Sequence, residues 1–222
     1  LLFRNKRNWL NGLYEKILLG DIIQRNKVKN ELALRLTLKR LAENVMQPIS
    51  YNRIANLIRS TGTSIAVSSV SDYVRYAQEA CMLFSLENYA SKFVEKETVK
   101  KHYFVDNGLL SIFLFSGETA LLENLCAIHL RKLYGDALCF YNKNVEVDFL
   151  VADEGYAVQA SFSIYGDGML DTFERETKAL KQLDGFLSLR RMVIVTYDEE
   201  GTVSLDNGKQ IEVIPAWKWL LE

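Results

Sequence analysis

Proline and histidine are scarce in this 222-residue sequence, with two residues of each. His102 and His129 lie too far apart for the short spacing of a paired-histidine metal site, so each is interpreted as a core or surface residue. No internal repeat and no low-complexity segment is present. The sequence is therefore not that of a repeat protein or a proline-rich linker.

Cysteine is scarce as well. Cys81, Cys126 and Cys139 are scattered through apolar patterns. An odd number of cysteines at irregular spacing argues against a disulfide framework and a zinc site, and it fits buried thiols in a reducing compartment. We therefore expect a cytoplasmic protein.

Long apolar runs and nucleotide-binding motifs are also missing. No apolar stretch reaches the ~18 residues that a membrane-spanning helix requires. No G-x-x-x-x-G-K-[ST] phosphate loop occurs, because Gly208-Lys209-Gln210 has neither the spacing nor the hydroxyl of that motif. ATP binding by this route is excluded, and the absence of G-x-S-x-G excludes a hydrolase nucleophile of that type.

The composition that remains is that of an ordinary globular protein, with 49% hydrophobic and 25% charged residues. Residues 1–116 hold 17 Lys and Arg against 10 Asp and Glu, a net charge of +7. Residues 117–222 hold 10 against 18, a net charge of −8. This asymmetry indicates either two modules with different partners or two surfaces that drifted apart in charge. Because the first residue is not Met, we expect a fragment or a processed product of a longer protein.

The pattern of residues 1–116 predicts a helical domain that contains a winged helix-turn-helix. Leucines at helical spacing predict a long helix, Ser50 is a typical cap for the next helix, and Ser60-Thr61-Gly62-Thr63 is a turn before a third. The winged helix-turn-helix motif has the same order of elements, which is helix, helix, turn, helix, strand, charged loop and strand. The predicted bounds are 30–46, 51–59 and 68–80 for the helices and 81–88 and 102–105 for the strands, with the charged loop at 92–101.

Basic side chains in this half are the candidates for DNA contact. The exposed face of the third helix carries Arg75, but it also carries Asp72 and Glu79. Lysines concentrate instead in the charged loop near the wing, where they would contact phosphates rather than bases. The candidate DNA-binding residues are Arg75, Lys92, Lys96, Lys100 and Lys101.

Residues 117–222 predict an α/β domain of order α-β-β-β-α-β. A helix at about 117–134 ends at Gly135, and three strands joined by short polar turns follow it. A second helix precedes a strand of buried type. The predicted bounds are 137–141, 145–152 and 156–164 for the three strands, 170–183 for the helix, 191–197 for the buried strand, 210–214 for a last strand and 217–221 for a terminal helix.

Polar residues fall at corresponding places on these elements. Glu123 lies on the first helix. Glu146 and Asp148 lie two apart on the second strand, as Gln159 and Ser161 do on the third, and period two predicts that each pair shares a face. Carboxylates facing a polar strand are typical of a site for a hard cation such as Mg²⁺. They also fit a salt-bridged helix and a polar strand face without any site.

This arrangement resembles the core of the PD-(D/E)XK restriction-endonuclease-like superfamily, in which a helix glutamate, a strand aspartate and an (E/D/Q)-x-K pair meet at a divalent metal. The resemblance implies a catalytic site with Glu123 and Asp148 as metal ligands, Mg²⁺ as cofactor, and Gln159 and Ser161 on the third strand. In such a site the metal generates hydroxide, and the lysine orients the water and stabilises charge. Ser161 stands where that lysine is expected, so the resemblance implies a degenerate site.

The missing lysine leaves a second expectation open. Lys178 or Arg175, both on the following helix, could reach back as a relocated cation. The alternative is that both are solvated charges of an amphipathic helix.

Four further motifs are spread along the chain. KHYFVDNGLL at 101–110 and LENL at 122–125 are similar to the K-x-Y-F-x-D-x-G-L and x-E-N-L motifs of one protein family, and EVDF at 146–149 and ERE at 174–176 match its remaining two. From about residue 21 to residue 197 the chain resembles this family, which comprises prokaryotic AAA-type ATPases with a C-terminal domain of unknown function. In that family an ATPase module precedes a winged helix and a PD-(D/E)XK-like domain. The resemblance implies that ATP binds only to an upstream module.

Together these observations predict an α+β chain with an N-terminal winged helix-turn-helix domain at 1–116 and an α/β PD-(D/E)XK-like domain at 117–222. The expected function is that of a DNA-handling or regulatory module of an ATPase with a degenerate nuclease-like fold. The expected partners are DNA, through the winged helix, and the upstream ATPase module, with no membrane; homo-oligomerisation is open. An active Mg²⁺-dependent nuclease and a protein-interaction module without nucleic-acid contact are the alternatives.

Overall fold

The computed structural model describes residues 6–166 and 168–222, which form a mixed α+β fold with a three-stranded sheet and a six-stranded mixed sheet. The chain divides into two compact units. The first contains the described residues up to Ser85 together with Thr98–Gly117, and the second contains Leu86–Glu97 and Glu118–Glu222. The segment Leu86–Glu97, which the sequence assigns to the first domain, therefore groups with the second unit.

Helices dominate the first half of the chain. Their buried faces follow the predicted spacing, and α-helix ends fall within a few residues of the predicted bounds. Along residues 6–117 the elements are α1 (Lys6–Lys16), a π-helical segment (Ile17–Gln24), α2 (Glu31–Glu43), β1 (Ile49–Ser50), α3 (Tyr51–Arg59), α4 (Val67–Glu79), β2 (Leu83–Leu86), α5 (Phe93–Thr98), β3 (Val99–Phe104) and α6 (Asn107–Ser111).

Side-chain caps explain two of these boundaries. Ser50 Oγ accepts a hydrogen bond from the Arg53 N–H at 3.2 Å, so α3 begins where the sequence predicts. Asp106 Oδ1 accepts from the Leu109 N–H at 3.0 Å and starts α6. This short helix is absent from the predicted elements, and it forms because the aspartate acts as an N-cap.

The core of the first unit lies between α2, α3 and α4, which pack against one another. Burying an aliphatic side chain of this size stabilises the fold by roughly 1.5–3 kcal/mol, so these contacts fix the three-helix arrangement. The fully or almost fully buried residues of these helices include Leu34, Leu38, Leu41, Ile54, Ile58, Val70 and Val74.

The small sheet has the strand order β1-β3-β2, with β1 antiparallel to β3 and Ile49 opposite Lys100. β3 is therefore the central strand, and Lys101 to Phe104 are all buried. The predicted charged loop at 92–101 is instead the short helix α5 followed by the first residues of β3. That prediction is wrong because Lys100 and Lys101 make the start of a central strand look like part of a charged loop.

The second half of the chain builds the large sheet. β8 is absent from the sequence prediction because its alternating half-exposed residues carry no strong apolar signal. Along residues 118–222 the elements are α7 (Glu118–Tyr134), β4 (Leu138–Asn142), β5 (Glu146–Val151), β6 (Tyr156–Ala160), α8 (Leu170–Leu187), β7 (Arg191–Thr196), β8 (Gly201–Ser204), β9 (Gln210–Pro215) and α9 (Ala216–Trp219).

The large sheet has the order β4-β5-β6-β7-β9-β8. β4, β5 and β6 are antiparallel neighbours, whereas β7 runs parallel to both β6 and β9. Parallel strands need a crossover connection, and α8 supplies it between β6 and β7. α8 packs on β5 and β6, and α7 contacts β4 and β6, so both helices adjoin the strands that carry the candidate site.

The free edge of β4 is covered by the segment that precedes α5. The Phe140 N–H donates to Glu87 O at 3.0 Å, and the Tyr89 N–H donates to Phe140 O at 2.8 Å. Asn88 adds two hydrogen bonds to the backbone of Asn142, at 3.0 Å to its N–H and 2.6 Å to its carbonyl. The segment thus pairs with a sheet edge that would otherwise expose unpaired backbone groups.

In the part of the chain that the structure describes, no helix combines the length and the apolar character that crossing a membrane requires.

Candidate functional site

Strand β5 carries a bulge at the candidate site. Tyr141 of β4 pairs with Val147, but Cys139 pairs with Leu150, so Asp148 and the residue after it oppose a single residue of β4. The simple alternation behind the sequence prediction is therefore interrupted at Asp148. A bulge of this kind changes the direction of side chains and occurs often beside functional sites.

Gln159 of β6 bonds to the backbone of β5. Its Oε1 accepts a hydrogen bond from the Asp148 N–H at 2.7 Å, and its Nε2 donates to Glu146 O at 3.1 Å. In turn, Asp148 Oδ2 accepts from the Ala160 N–H at 3.1 Å. Gln159 is only 3% exposed. Both polar groups of this predicted site residue are therefore engaged in holding two strands together.

Ser161 is also engaged by its own surroundings. Its Oγ donates to Ser163 O at 3.1 Å, and its N–H donates to Val195 O at 3.0 Å. The residue is 6% exposed. The position where the resemblance expects a lysine thus holds a buried hydroxyl without charge.

Glu123 and Asp148 act on the same thiol. Cys126 is buried and lies one turn after Glu123 on α7. Burial raises the pKa of the Cys126 thiol, and the charges of Glu123 and Asp148 raise it further. The charges of the two carboxylates predicted as metal ligands therefore both act on one buried side chain.

A further carboxylate, Glu176 of α8, belongs to this neighbourhood. It is 6% exposed. Burial raises its pKa, a hydrogen bond from Arg175 opposes this shift, and the charges of Asp148 and Glu146 add to it. Sequence reasoning missed Glu176 as a site residue, although its place in the ERE motif was a usable signal.

Arg175 supplies the cation beside Glu176. Its Nη2 and Nε donate to Glu176 Oε1 at 2.6 and 3.1 Å. The hydrogen bond to Glu176 raises the pKa of Arg175, as do the charges of Asp148 and Glu146. Lys178, the other predicted substitute cation, is exposed on the same helix. The structure therefore associates Arg175 with these carboxylates.

These side chains do not form a closed set of metal ligands. Within residues 6–166 and 168–222, no group of three or more His, Cys, Asp and Glu side chains has a geometry that could hold a metal ion. Glu123 and Asp148 offer the oxygens that Mg²⁺ prefers, but Gln159 is occupied by backbone contacts. One or two carboxylates hold hydrated Mg²⁺ only loosely, so the donors do not fit a tightly bound resident metal.

Arg75, the predicted DNA contact on α4, is paired within its own helix. Its guanidinium lies 3.2 Å from Asp72 Oδ1 and 2.9 Å from Glu79 Oε1, and it covers the Tyr76 ring at 4.6 Å. Two carboxylates thus balance its charge, which weakens the case for phosphate contact at this position.

The predicted wing lysines differ in exposure. Lys101 is 0% exposed in β3, so it does not reach a surface where phosphate could bind. Lys100 is half-buried on the same strand. Lys92 is exposed and Lys96 half-buried, and both belong to the second unit. The predicted DNA-binding residues therefore do not lie in one unit, and Lys101 is excluded from them.

His102 is a core residue, one of the two roles that the sequence predicts for it. It is 1% exposed, and its Nδ1 lies 2.7 Å from Ser85 Oγ, which accepts from Gln78 Nε2 at 2.8 Å. Its Nε2 is buried without a hydrogen-bond partner among the described residues. Burial, together with a smaller effect of the charge of Lys100, lowers the pKa of His102 to about 3. The imidazole is therefore neutral in the folded protein.

Comparison with known proteins identifies the family. Residues 3–119 match a domain of unknown function (DUF8612). The match covers more than half of the chain, so the chain belongs to this family.

Two curated relatives match along nearly the whole chain. Uncharacterized protein MJ1544 of Methanocaldococcus jannaschii is 27% identical over 224 residues, which cover 97% of this chain and 49% of that protein. An uncharacterized protein of Haemophilus influenzae is 25% identical over 226 residues, which cover 98% of this chain and 53% of that protein. The chain thus spans about half the length of these relatives. No solved structure matches it.

Proposed function

We propose that this chain is the non-ATPase half of a prokaryotic AAA-type ATPase and that it binds DNA without cutting it. The four motifs that resemble that family support the first part of the proposal. The length of the relatives also supports it, because about half of each lies outside the part that matches this chain. That remainder offers room for an ATPase module.

The element order of the first unit supports a winged helix. α2, β1, α3, α4, β2 and β3 follow one another, and the sheet order β1-β3-β2 places the last strand in the centre. This arrangement is the one expected for a helix-turn-helix followed by a wing, a motif that binds nucleic acid. The net charge of +7 over residues 1–116 agrees with such a partner.

The second unit supports a nuclease-like origin. α7, β4, β5, β6, α8 and β7 reproduce the predicted α-β-β-β-α-β order, with an antiparallel half and a parallel crossover. Carboxylates on α7 and β5 both raise the pKa of one buried thiol, in the region where the resemblance expects an acidic site.

The observation that carries the proposed loss of cleavage is the state of Gln159. Its amide oxygen accepts from the Asp148 N–H and its amide nitrogen donates to Glu146 O, so its role is to join β5 to β6. Ser161 brings no charge, and Arg175 is bonded to Glu176. Losing one electrostatic contact to a developing charge costs roughly 10²–10³ in rate. The site therefore suits binding or regulation better than hydrolysis.

The test is cleavage of linear, circular and branched DNA with Mg²⁺ or Mn²⁺ by the wild type, Asp148→Ala and Ser161→Lys. We expect no cleavage by the wild type, and a gain in Ser161→Lys if the lysine alone was lost. Circular dichroism establishes first that each variant is folded. Wild-type cleavage that Asp148→Ala abolishes would refute the proposal in favour of the active nuclease. Absence of any DNA complex would favour the protein-interaction module.

A further inference from the structure

Three cations follow the π-helical segment within five residues. Arg25, Lys27 and Lys29 are all exposed. None of the three forms an ion pair with a carboxylate of residues 6–166 or 168–222. The carboxylate of Glu31, which follows them in the chain, is bound by Arg35 Nη2 at 2.7 Å. The positive charge of this loop is therefore presented to solvent.

A hydrogen bond attaches this loop to the turn between α3 and α4. Asn30 Nδ2, next to Lys29, donates to Ser64 O at 3.2 Å. On the other side of the turn, Arg59 Nε donates to Ile65 O at 2.9 Å. Lys29 and Arg59 thus flank the same turn, and these contacts bring cations from two separate segments to one surface.

The hydrogen-bond partners of Arg59 among the described residues are neutral groups. Its Nη1 donates to Asn56 Oδ1 at 2.9 Å, and its Nε donates to a backbone carbonyl. The turn adds the exposed Ser64, and the first turn of α4 adds the exposed Ser68. Arginine, lysine and serine groups of this kind are the usual donors to phosphate oxygens.

The geometry points to this surface, which we call the basic corner, as the place where the first unit contacts the phosphate backbone of duplex DNA. It consists of Arg25, Lys27, Lys29 and Arg59 with the turn at 61–64. The inference rests on the proposed DNA-binding function and relocates its main contact away from α4. Arg75 is balanced by two carboxylates and Lys101 is buried, whereas the cations of the basic corner form no ion pair with the described carboxylates.

The experiment measures binding of a fluorescent DNA duplex by anisotropy over a range of salt. It compares the wild type with Lys27→Gln/Lys29→Gln. Glutamine keeps a similar side-chain length, and at Lys27, whose φ is +51°, it introduces no β-carbon that lysine lacks. The matched control is Lys132→Gln/Lys143→Gln, which removes the same charge from exposed positions of the second unit.

We expect Lys27→Gln/Lys29→Gln to bind the duplex several-fold more weakly than the wild type at about 50 mM salt. The magnitude of the slope of log K against log salt should be smaller by about 2, because each lost phosphate contact reduces it by about 1. The control variant should bind like the wild type. Equal losses in both variants would overturn the inference in favour of a bulk charge effect.

Two other outcomes separate this inference from the proposed function. A wild type that binds duplex DNA, with no loss in Lys27→Gln/Lys29→Gln but a clear loss in Lys92→Gln/Lys96→Gln, would refute the basic corner and leave DNA binding intact. A wild type that binds no duplex at about 50 mM salt would refute both. Tighter binding of duplex RNA than of DNA would overturn the assignment of the partner.

Discussion

Gln159 and Asp148 hold each other across two strands: Gln159 Oε1 accepts from the Asp148 N–H at 2.7 Å, and the N–H of the residue after Gln159 donates to Asp148 Oδ2 at 3.1 Å. The backbone pairing of β5 with β6 extends from Phe149↔Val158 to Val151↔Tyr156. Beyond these paired residues, the side chain of Gln159 continues the connection between the two strands. A residue whose type suggests a metal ligand is therefore explained by strand pairing at a bulge.

Removing the Gln159 amide should destabilise the protein. Gln159→Ala removes two hydrogen bonds in a site that is 3% exposed. Each buried group that loses its partner costs about 1–3 kcal/mol, so we expect a loss of about 2–4 kcal/mol in urea denaturation. Gln210→Ala, at an exposed position of β9, should change the free energy of unfolding by less than about 0.5 kcal/mol. Equal effects of the two variants would contradict the structural role.

Glu176 should make the protein less stable as pH rises. Burial raises its pKa above the ordinary value of 4.5, so its contribution to stability is fully present below pH 4.5 and is lost as pH rises through the folded-state pKa. Glu176→Gln should therefore gain stability relative to the wild type between pH 4.5 and pH 7. Denaturation of both proteins across that range measures the gain. Glu174→Gln, at an exposed position of the same helix, should show no such trend, and a trend shared by both variants would exclude the assignment.

His102 should make the protein less stable as pH falls. Its pKa is lowered from 6.5 to about 3, so its contribution is present above pH 6.5 and is lost as pH falls toward 3. Below pH 6.5 the unfolded imidazole binds a proton that the folded one does not, which costs about 1.4 kcal/mol per pH unit.

The check is the pH slope of the free energy of unfolding, because His102→Leu also changes packing. The slope between about pH 6 and pH 4 should be smaller in His102→Leu than in the wild type by about 1.4 kcal/mol per unit. His129→Gln should change the slope less, since His129 is only half-buried. Identical slopes for His102→Leu and the wild type would show that the imidazole is not the titrating group.

ATP should leave the thermal unfolding of this chain unchanged. The sequence has no phosphate loop, and a ligand stabilises a protein only if it binds the folded state. At 100 times its Kd a ligand adds about 2.7 kcal/mol, which would raise Tm by several degrees. We expect ATP to change the Tm of this chain by less than about 1 °C. A rise of several degrees in the Tm of this chain on addition of ATP would contradict the expectation that ATP binds only to an upstream module.

The elements that the sequence predicts well are those determined by neighbouring residues, through caps, apolar spacing and turns. Ser50 and the apolar spacing after it determine α3, whose bounds the sequence predicts to the residue. The α-β-β-β-α-β order is predictable for the same reason, because each of its elements has its own periodicity and turn.

Contacts between distant segments explain what the sequence does not predict. The bulge at Asp148 depends on how β5 pairs with β4, and alternation along β5 alone does not reveal it. Lys101 looks exposed in a lysine-rich stretch, yet the pairing of β1 with β3 makes its strand central. The burial of Glu176 depends on the packing of α8 against β5 and β6.

The central claim is that the chain binds duplex DNA and leaves it intact, and one sample tests both parts. A labelled duplex is incubated with the wild type and Mn²⁺ at about 50 mM salt and is then run on a native and a denaturing gel. The account predicts a shifted band on the native gel and full-length strands on the denaturing gel. Shortened strands that disappear in Asp148→Ala, or an unshifted duplex at every protein concentration, would contradict it.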